Sequence, residues 1–144
     1  MQTQFLVSIV RQIASVLLGL LLINLLGSLF VCIQPLIYPQ YSGAAGRANL
    51  NHFDMIFLTV KLAYICLSCV LGGIVTALIG RSWKANLATG VILATLVSVS
   101  GLRLKTYYPI AFWLLLIALI IPSLLSGYWI VSGRGLWKAR AIAP

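Results

Sequence analysis

The sequence predicts an all-α polytopic membrane protein with four transmembrane helices in a compact bundle. Three observations carry this reading. Of 144 residues, 62% are hydrophobic and only 8% are charged, against about 25% charged in a soluble domain, and the mean hydropathy is +1.09. Apolar runs recur along the chain, separated by short segments of turn-forming and basic residues. Ten Lys and Arg face a single acid, Asp54, for a formal charge of +9. The cations sit mainly at the ends of the apolar runs, where they anchor helices at headgroups and set orientation. The same excess on a soluble chain would point to nucleic acid; placed at run ends it does not, and no nucleic-acid partner is expected.

The first helix is expected from about residue 5, or from Gln12, to Ile33. Its apolar run exceeds the roughly 7–15 residues of a signal-peptide core, no Ala-x-Ala site follows, and bulky Val31 before Cys32 suits a lipoprotein site poorly, so it reads as a retained helix. Gln34-Pro35 is expected to stop it, because proline lacks the N–H and disfavours helix in the residue before it. Residues 34–53 are rich in Pro, Gly, Ser and Asn and read as an outer loop. The second helix is expected over 54–80, where Asp54 complements the positive end of the helix dipole. Arg81-Ser-Trp-Lys84-Ala-Asn86 reads as a tight basic link to a third helix over 87–104, short for a bilayer and expected to need thinning or snorkelling flanks. Pro109 suits the first turn of a fourth helix over 109–131, in which Pro122 is expected to produce a kink. Trp113 and Trp129 stand roughly 24 Å apart on it, a spacing that fits aromatic anchors at both interfaces. Residues 132–144 form a tail. No linker or polar block suggests a second module, so 1–144 reads as one membrane domain.

With four spans, both termini share a side with the Arg81–Asn86 link. That side holds Arg11, Arg81, Lys84, Arg134, Lys138 and Arg140; the other holds Arg47, Arg103 and Lys105. The excess predicts cytoplasmic termini, and a bacterial inner membrane is the expected location. Residues 1–80 and 81–144 show no repeat of the kind that marks inverted-repeat transporters.

Lys61 is the one charge inside the run Met55–Ile79. An ammonium at the centre of a span costs roughly 2.5–3.5 kcal/mol, less towards an end, so its position asks for a reason. Asp54, Lys61 and Ser68 are spaced by seven, with Gly72 near the same line, and so share one helix face. Asn24 on the first helix lies at a similar depth. One reading is a polar centre for an anionic ligand, a lipid headgroup or a substrate carboxylate, built from Lys61, Asn24, Asp54, Ser68 and Tyr64. The other is that Lys61 snorkels or pairs with Asp54 while Asn24 ties two helices together.

Small residues mark helix-packing faces, since they let backbones approach. Thr59, Cys66, Gly73, Ala77 and Gly80 fall near one face of the second helix, beside Gly72; Gly90, Ala94, Ser98 and Gly101 recur on the third. Packing of the second helix on the third is expected, with a homo-oligomer face as the alternative. Outside the spans, Arg47, Arg103, Lys105, Tyr107 and Tyr108 form a basic-aromatic collar for headgroups or for an acidic partner surface.

Catalysis is not expected. Cys66 and Cys69 have C-x-x-C spacing but lie mid-helix, and Cys32 belongs roughly 18 Å away in depth. His52 is the one histidine, which leaves haem and metal sites without ligands. One acid excludes paired-carboxylate chemistry, and no catalytic residue, cofactor or metal is assigned.

Gly72-Gly-Ile-Val-Thr-Ala-Leu-Ile79, then a short basic link and Tyr108-Pro-Ile-Ala-Phe-Trp113, resembles small bacterial four-helix integral membrane proteins. That likeness implies the fold and no activity. Asn24-Leu-Leu-Gly-Ser-Leu-Phe30 is similar to the Asn-x-x-Gly-Ser-Phe run of four-helix fluoride channels, but their Thr-Thr-Phe-Ser stretch has no counterpart here. The expected role is a non-catalytic accessory or structural subunit that packs in a larger membrane assembly or with copies of itself. A small solute or ion translocator centred on Lys61 is the alternative, and an anionic-lipid-binding protein the third. Membrane lipids and other membrane subunits are the expected partners.

Overall fold

A computed structural model describes residues 2–39, 55–104 and 109–133. They form four helices: α1 Gln2–Ile37, α2 Met55–Gly80, α3 Trp83–Leu104 and α4 Ile110–Gly133. Each is long and apolar enough to cross a membrane. At 1.5 Å per residue their lengths are about 54, 39, 33 and 36 Å, against a hydrocarbon core of about 30 Å.

Two helix boundaries differ from expectation for local reasons. α1 does not stop at Gln34-Pro35 but runs to Ile37, and the Tyr38 N–H still reaches the Gln34 carbonyl at 2.8 Å. Proline removes only its own bond to the carbonyl four residues back, so the carbonyls beyond it can still close a last turn. α3 begins at Trp83, not Leu87, because the Ser82 hydroxyl caps it by accepting the Lys84 N–H at 3.2 Å. With four more residues, α3 spans the core unaided. The link therefore shrinks to Arg81-Ser82. Arg81 has φ 52°, and its N–H returns to the Ala77 carbonyl at 3.0 Å, a left-handed C-terminal cap of α2 built without glycine.

Neighbouring contacts give the order of helices around the bundle. α1 packs on α2 and α3, α4 packs on α2 and α3, and α2 and α3 touch more lightly across a diagonal. The second helix is thus not packed mainly on the third, as the small-residue pattern had suggested. Its glycines face two other directions. A Cβ on Gly72 would stand 2.7 Å from the Ile23 side chain and 3.2 Å from the Gly19 carbonyl on α1. A Cβ on Gly73 would stand 3.0 Å from the Leu124 Cα on α4. From α4, a Cβ on Gly127 would press on Ile74 N at 2.7 Å. Gly90 on α3 likewise meets Ile121 and Leu124 of α4, at 3.3 and 3.4 Å. Without a hydrophobic drive between helices in lipid, such close backbone approach is what holds them.

The α1–α2 seam interleaves Ser15 and Gly19 with Gly72, Thr76 and Gly80, spaced by four on each helix. The Thr76 hydroxyl donates to the Gly72 carbonyl at 2.9 Å and is fully buried. The bundle centre is filled by Phe57, Cys69, Ile120 and Leu124. Several polar side chains are buried in the bundle, and the largest of them is an asparagine of α3. Asn86 is 0% exposed and donates to the Gly73 carbonyl of α2 and the Leu124 carbonyl of α4. Its Oδ1 accepts no hydrogen bond among the described residues.

Candidate functional site

Several polar residues of the spans meet at one place on the outside of the bundle. A lateral groove of about 490 Å³ lies between α1 and α2. α1 supplies Asn24, Gly27, Ser28 and Cys32 to it; α2 supplies Lys61 and Tyr64. Seven-residue spacing places Lys61 nearly two turns before Ser68 on α2, and the antiparallel run of α1 brings Asn24 to the same wall as Lys61.

Tyr64 sets the shape of this groove. Its ring stacks on Phe30 of α1, centroids 4.4 Å apart, and its hydroxyl donates to the Leu26 carbonyl. The second contact is a side chain reaching the backbone of a neighbouring helix, which satisfies a phenol that lipid cannot solvate. Nearer the end of α1, Tyr38 meets the edge of Phe57 at 5.4 Å. Lys61 is half-buried, and its Nζ lies 5.9 Å from the centroid of the same Phe57 ring. That is a cation–π distance, and it holds the ammonium against an aromatic face instead of bare hydrocarbon.

Asn24 is exposed on the outer side of the groove. Its amide donates to the Leu20 carbonyl of its own helix at 2.9 Å. This is a local bond, so Asn24 does not tie α1 to α2. Ser28 beside it is exposed too. Gly27 sits between them, and a Cβ added there would meet nothing within 4 Å. Among the glycines of the described helices, this holds only for Gly27 and for Gly133 at the end of α4.

Of the residues expected in a polar centre, the groove brings together Lys61, Asn24 and Tyr64. Ser68 is not among its walls: it is buried, and its hydroxyl donates to the Tyr64 carbonyl at 3.0 Å. A face shared by spacing is not shared in burial: Lys61 is half-buried, and Ser68 two turns on is buried. Asp54, His52, Arg47, Lys105, Tyr107 and Tyr108 lie outside the described residues, as does the Arg103 side chain. The packing candidates separate as well: Ala77 is fully buried, Ala94 is half-buried, and Ser98 lines an apolar cleft between α3 and α4 beside Trp113.

Cys32 is exposed, Cys66 half-buried and Cys69 buried, and all three are free thiols. No three of His, Cys, Asp and Glu come together among the described residues. For binding the groove offers a cation, a carboxamide, two hydroxyls, a thiol and the backbone at Gly27. The sequence contained one missed signal here. Gly27 is a helix-weakening residue amid leucines, and asking what covers each glycine would have singled it out. Comparison with known protein families, with curated proteins and with solved structures returns no significant match to this chain.

Proposed function

We propose that this chain is a non-catalytic accessory subunit, held in a bacterial inner membrane with both termini cytoplasmic, that packs sideways in a larger membrane assembly or against its own copies. The docking face is the α1 side of the α1–α2 groove. The observation that carries this is Gly27. A mid-helix glycine weakens a helix by roughly 0.5–1 kcal/mol relative to alanine, and the other glycines well inside the four helices accommodate a neighbour at that cost. Gly27 accommodates nothing among the described residues. Flanked by exposed Asn24 and Ser28, it makes a flat, weakly polar patch of the kind on which a second helix closes. Orientation is supported by six cations on the terminal side against three on the other.

The test is the size of the complex extracted in mild detergent, read on a native gel. Wild-type chain is expected well above monomer size, and Gly27→Leu at monomer size with an unchanged thermal melt. A wild-type monomer, or a Gly27→Leu complex of full size, contradicts the proposal.

A second reading is a small-solute or ion translocator, favoured by the meeting of Lys61, Asn24 and Tyr64 in one groove. It requires Lys61→Met to abolish transport and leave assembly intact. Under the docking proposal, Lys61→Met is tolerated.

A further inference from the structure

Another cleft, of about 400 Å³, lies between α1 and α3 near the end of the bundle that carries the α2–α3 turn. Gln12 and Lys84 stand at its mouth, and Val16, Leu17, Ala88 and Ile92 line its floor. The level of the mouth is fixed by packing. A Cβ on Gly80 would lie 2.6 Å from the Ser15 Oγ and 3.2 Å from the Ala85 Cβ, so α1, α2 and α3 meet there. Arg81 follows Gly80 directly, Lys84 precedes Ala85 directly, and Arg11 stands one turn before Ser15 on α1.

Three cations therefore gather at one level, and all three are exposed. No Asp or Glu is present among the described residues to pair with them; the one acid, Asp54, precedes the opposite end of α2. Exposed Trp83 sits at the same level, where an indole favours the headgroup region. Below the mouth the floor is wholly aliphatic and runs along the wall of the bundle.

The chemistry of a ligand follows from these two halves. The mouth calls for a negative charge with hydrogen-bond acceptors. The floor calls for a hydrocarbon chain lying parallel to the helices. A free phosphate compound fits the mouth and leaves the floor bare; a zwitterionic lipid places an ammonium among three cations. We propose that this cleft is a binding site for an anionic phospholipid, its phosphate held by Lys84, Arg81 and the Gln12 amide and one acyl chain lying over Ala88. The site is separate from the docking face at Gly27, and either proposal can fail alone.

The test uses the full chain in detergent, titrated with phosphatidylglycerol or phosphatidylcholine and followed by native mass spectrometry. Phosphatidylglycerol is expected to be retained at least about tenfold better. Arg81→Gln and Lys84→Gln together should weaken it about thirtyfold, at roughly fivefold for each basic residue at a membrane surface. Ala88→Phe, which fills an exposed part of the floor, should weaken it while all charges remain. Glycerol phosphate in millimolar excess should not displace it. Equal retention of the two lipids, or wild-type retention by the double charge variant, overturns the proposal. So does Ala88→Phe binding as wild type, which would reduce the effect to surface charge, and so does displacement by glycerol phosphate, which would make it a soluble-anion site.

Discussion

The Asn86 carboxamide of α3 donates to the Gly73 carbonyl of α2 at 3.0 Å, at the point where Gly73 leaves room for α4. Its other hydrogen goes to the Leu124 carbonyl of α4 at 2.9 Å. One side chain thus ties three helices together. An interhelical hydrogen bond in a membrane contributes about 0.6 kcal/mol on average and about 1.7 at most. Asn86→Ala should therefore destabilise the bundle by about 1–3 kcal/mol, read as reversible unfolding in mixed micelles. Asn86→Asp should cost more than Asn86→Ala, because it replaces two donors by an acceptor facing two carbonyls. An Asn86→Asp chain as stable as wild type would contradict the role given to this residue.

Two glycines should respond in opposite ways to the same change. At Gly73 an added methyl presses on α4 backbone, which no rotamer change can relieve, so Gly73→Ala should lower stability by about 1–3 kcal/mol. At Gly27 the methyl meets open space, so Gly27→Ala in the isolated chain should be neutral or stabilising by up to about 1 kcal/mol. The comparison is made by thermal unfolding in a detergent strong enough to disperse any complex. Equal destabilisation by both changes would mean that Gly27 is packed within its own chain.

Arg81 holds a left-handed backbone conformation that disfavours side chains with a Cβ by about 1–2 kcal/mol. Arg81→Gly should raise thermal stability by about 1 kcal/mol, whereas Arg81→Val, branched at Cβ, should lower it. Measured melting temperatures in the reverse order would argue against the α2–α3 turn described.

The Tyr64 hydroxyl and the Tyr64 ring do separate things. Tyr64→Phe removes the bond to Leu26 and keeps the stack on Phe30, at an expected loss of about 0.5–1.5 kcal/mol. Tyr64→Ala removes both and should cost at least twice as much, read by the same unfolding assay. If Phe and Ala at position 64 are equally destabilising, the stack contributes nothing.

The spans were legible because their signal is length and apolarity, which lipid imposes on each helix separately. Arrangement was not, because it depends on which small residue meets which backbone. Gly72 and Gly73 are adjacent in sequence, yet one serves α1 and the other α4. Ser15 and Gly19 on α1 share the four-residue spacing of Gly72, Thr76 and Gly80, a match that has meaning only once the two helices are paired. Asn86 was hidden for a different reason. It closed a polar stretch that read as a link, and only the Ser82 cap reveals that α3 has already begun. For the candidate groove, helix depth places Lys61 near Asn24, whereas a heptad line does not reveal that Ser68 is buried and bonded to its own helix.

Native mass spectrometry of the chain, extracted gently from its own membrane, tests sideways docking most directly. A stoichiometric complex with a larger membrane subunit, or with further copies of this chain, that disperses on Gly27→Leu is the predicted result. A wild-type monomer carrying only lipid would contradict it.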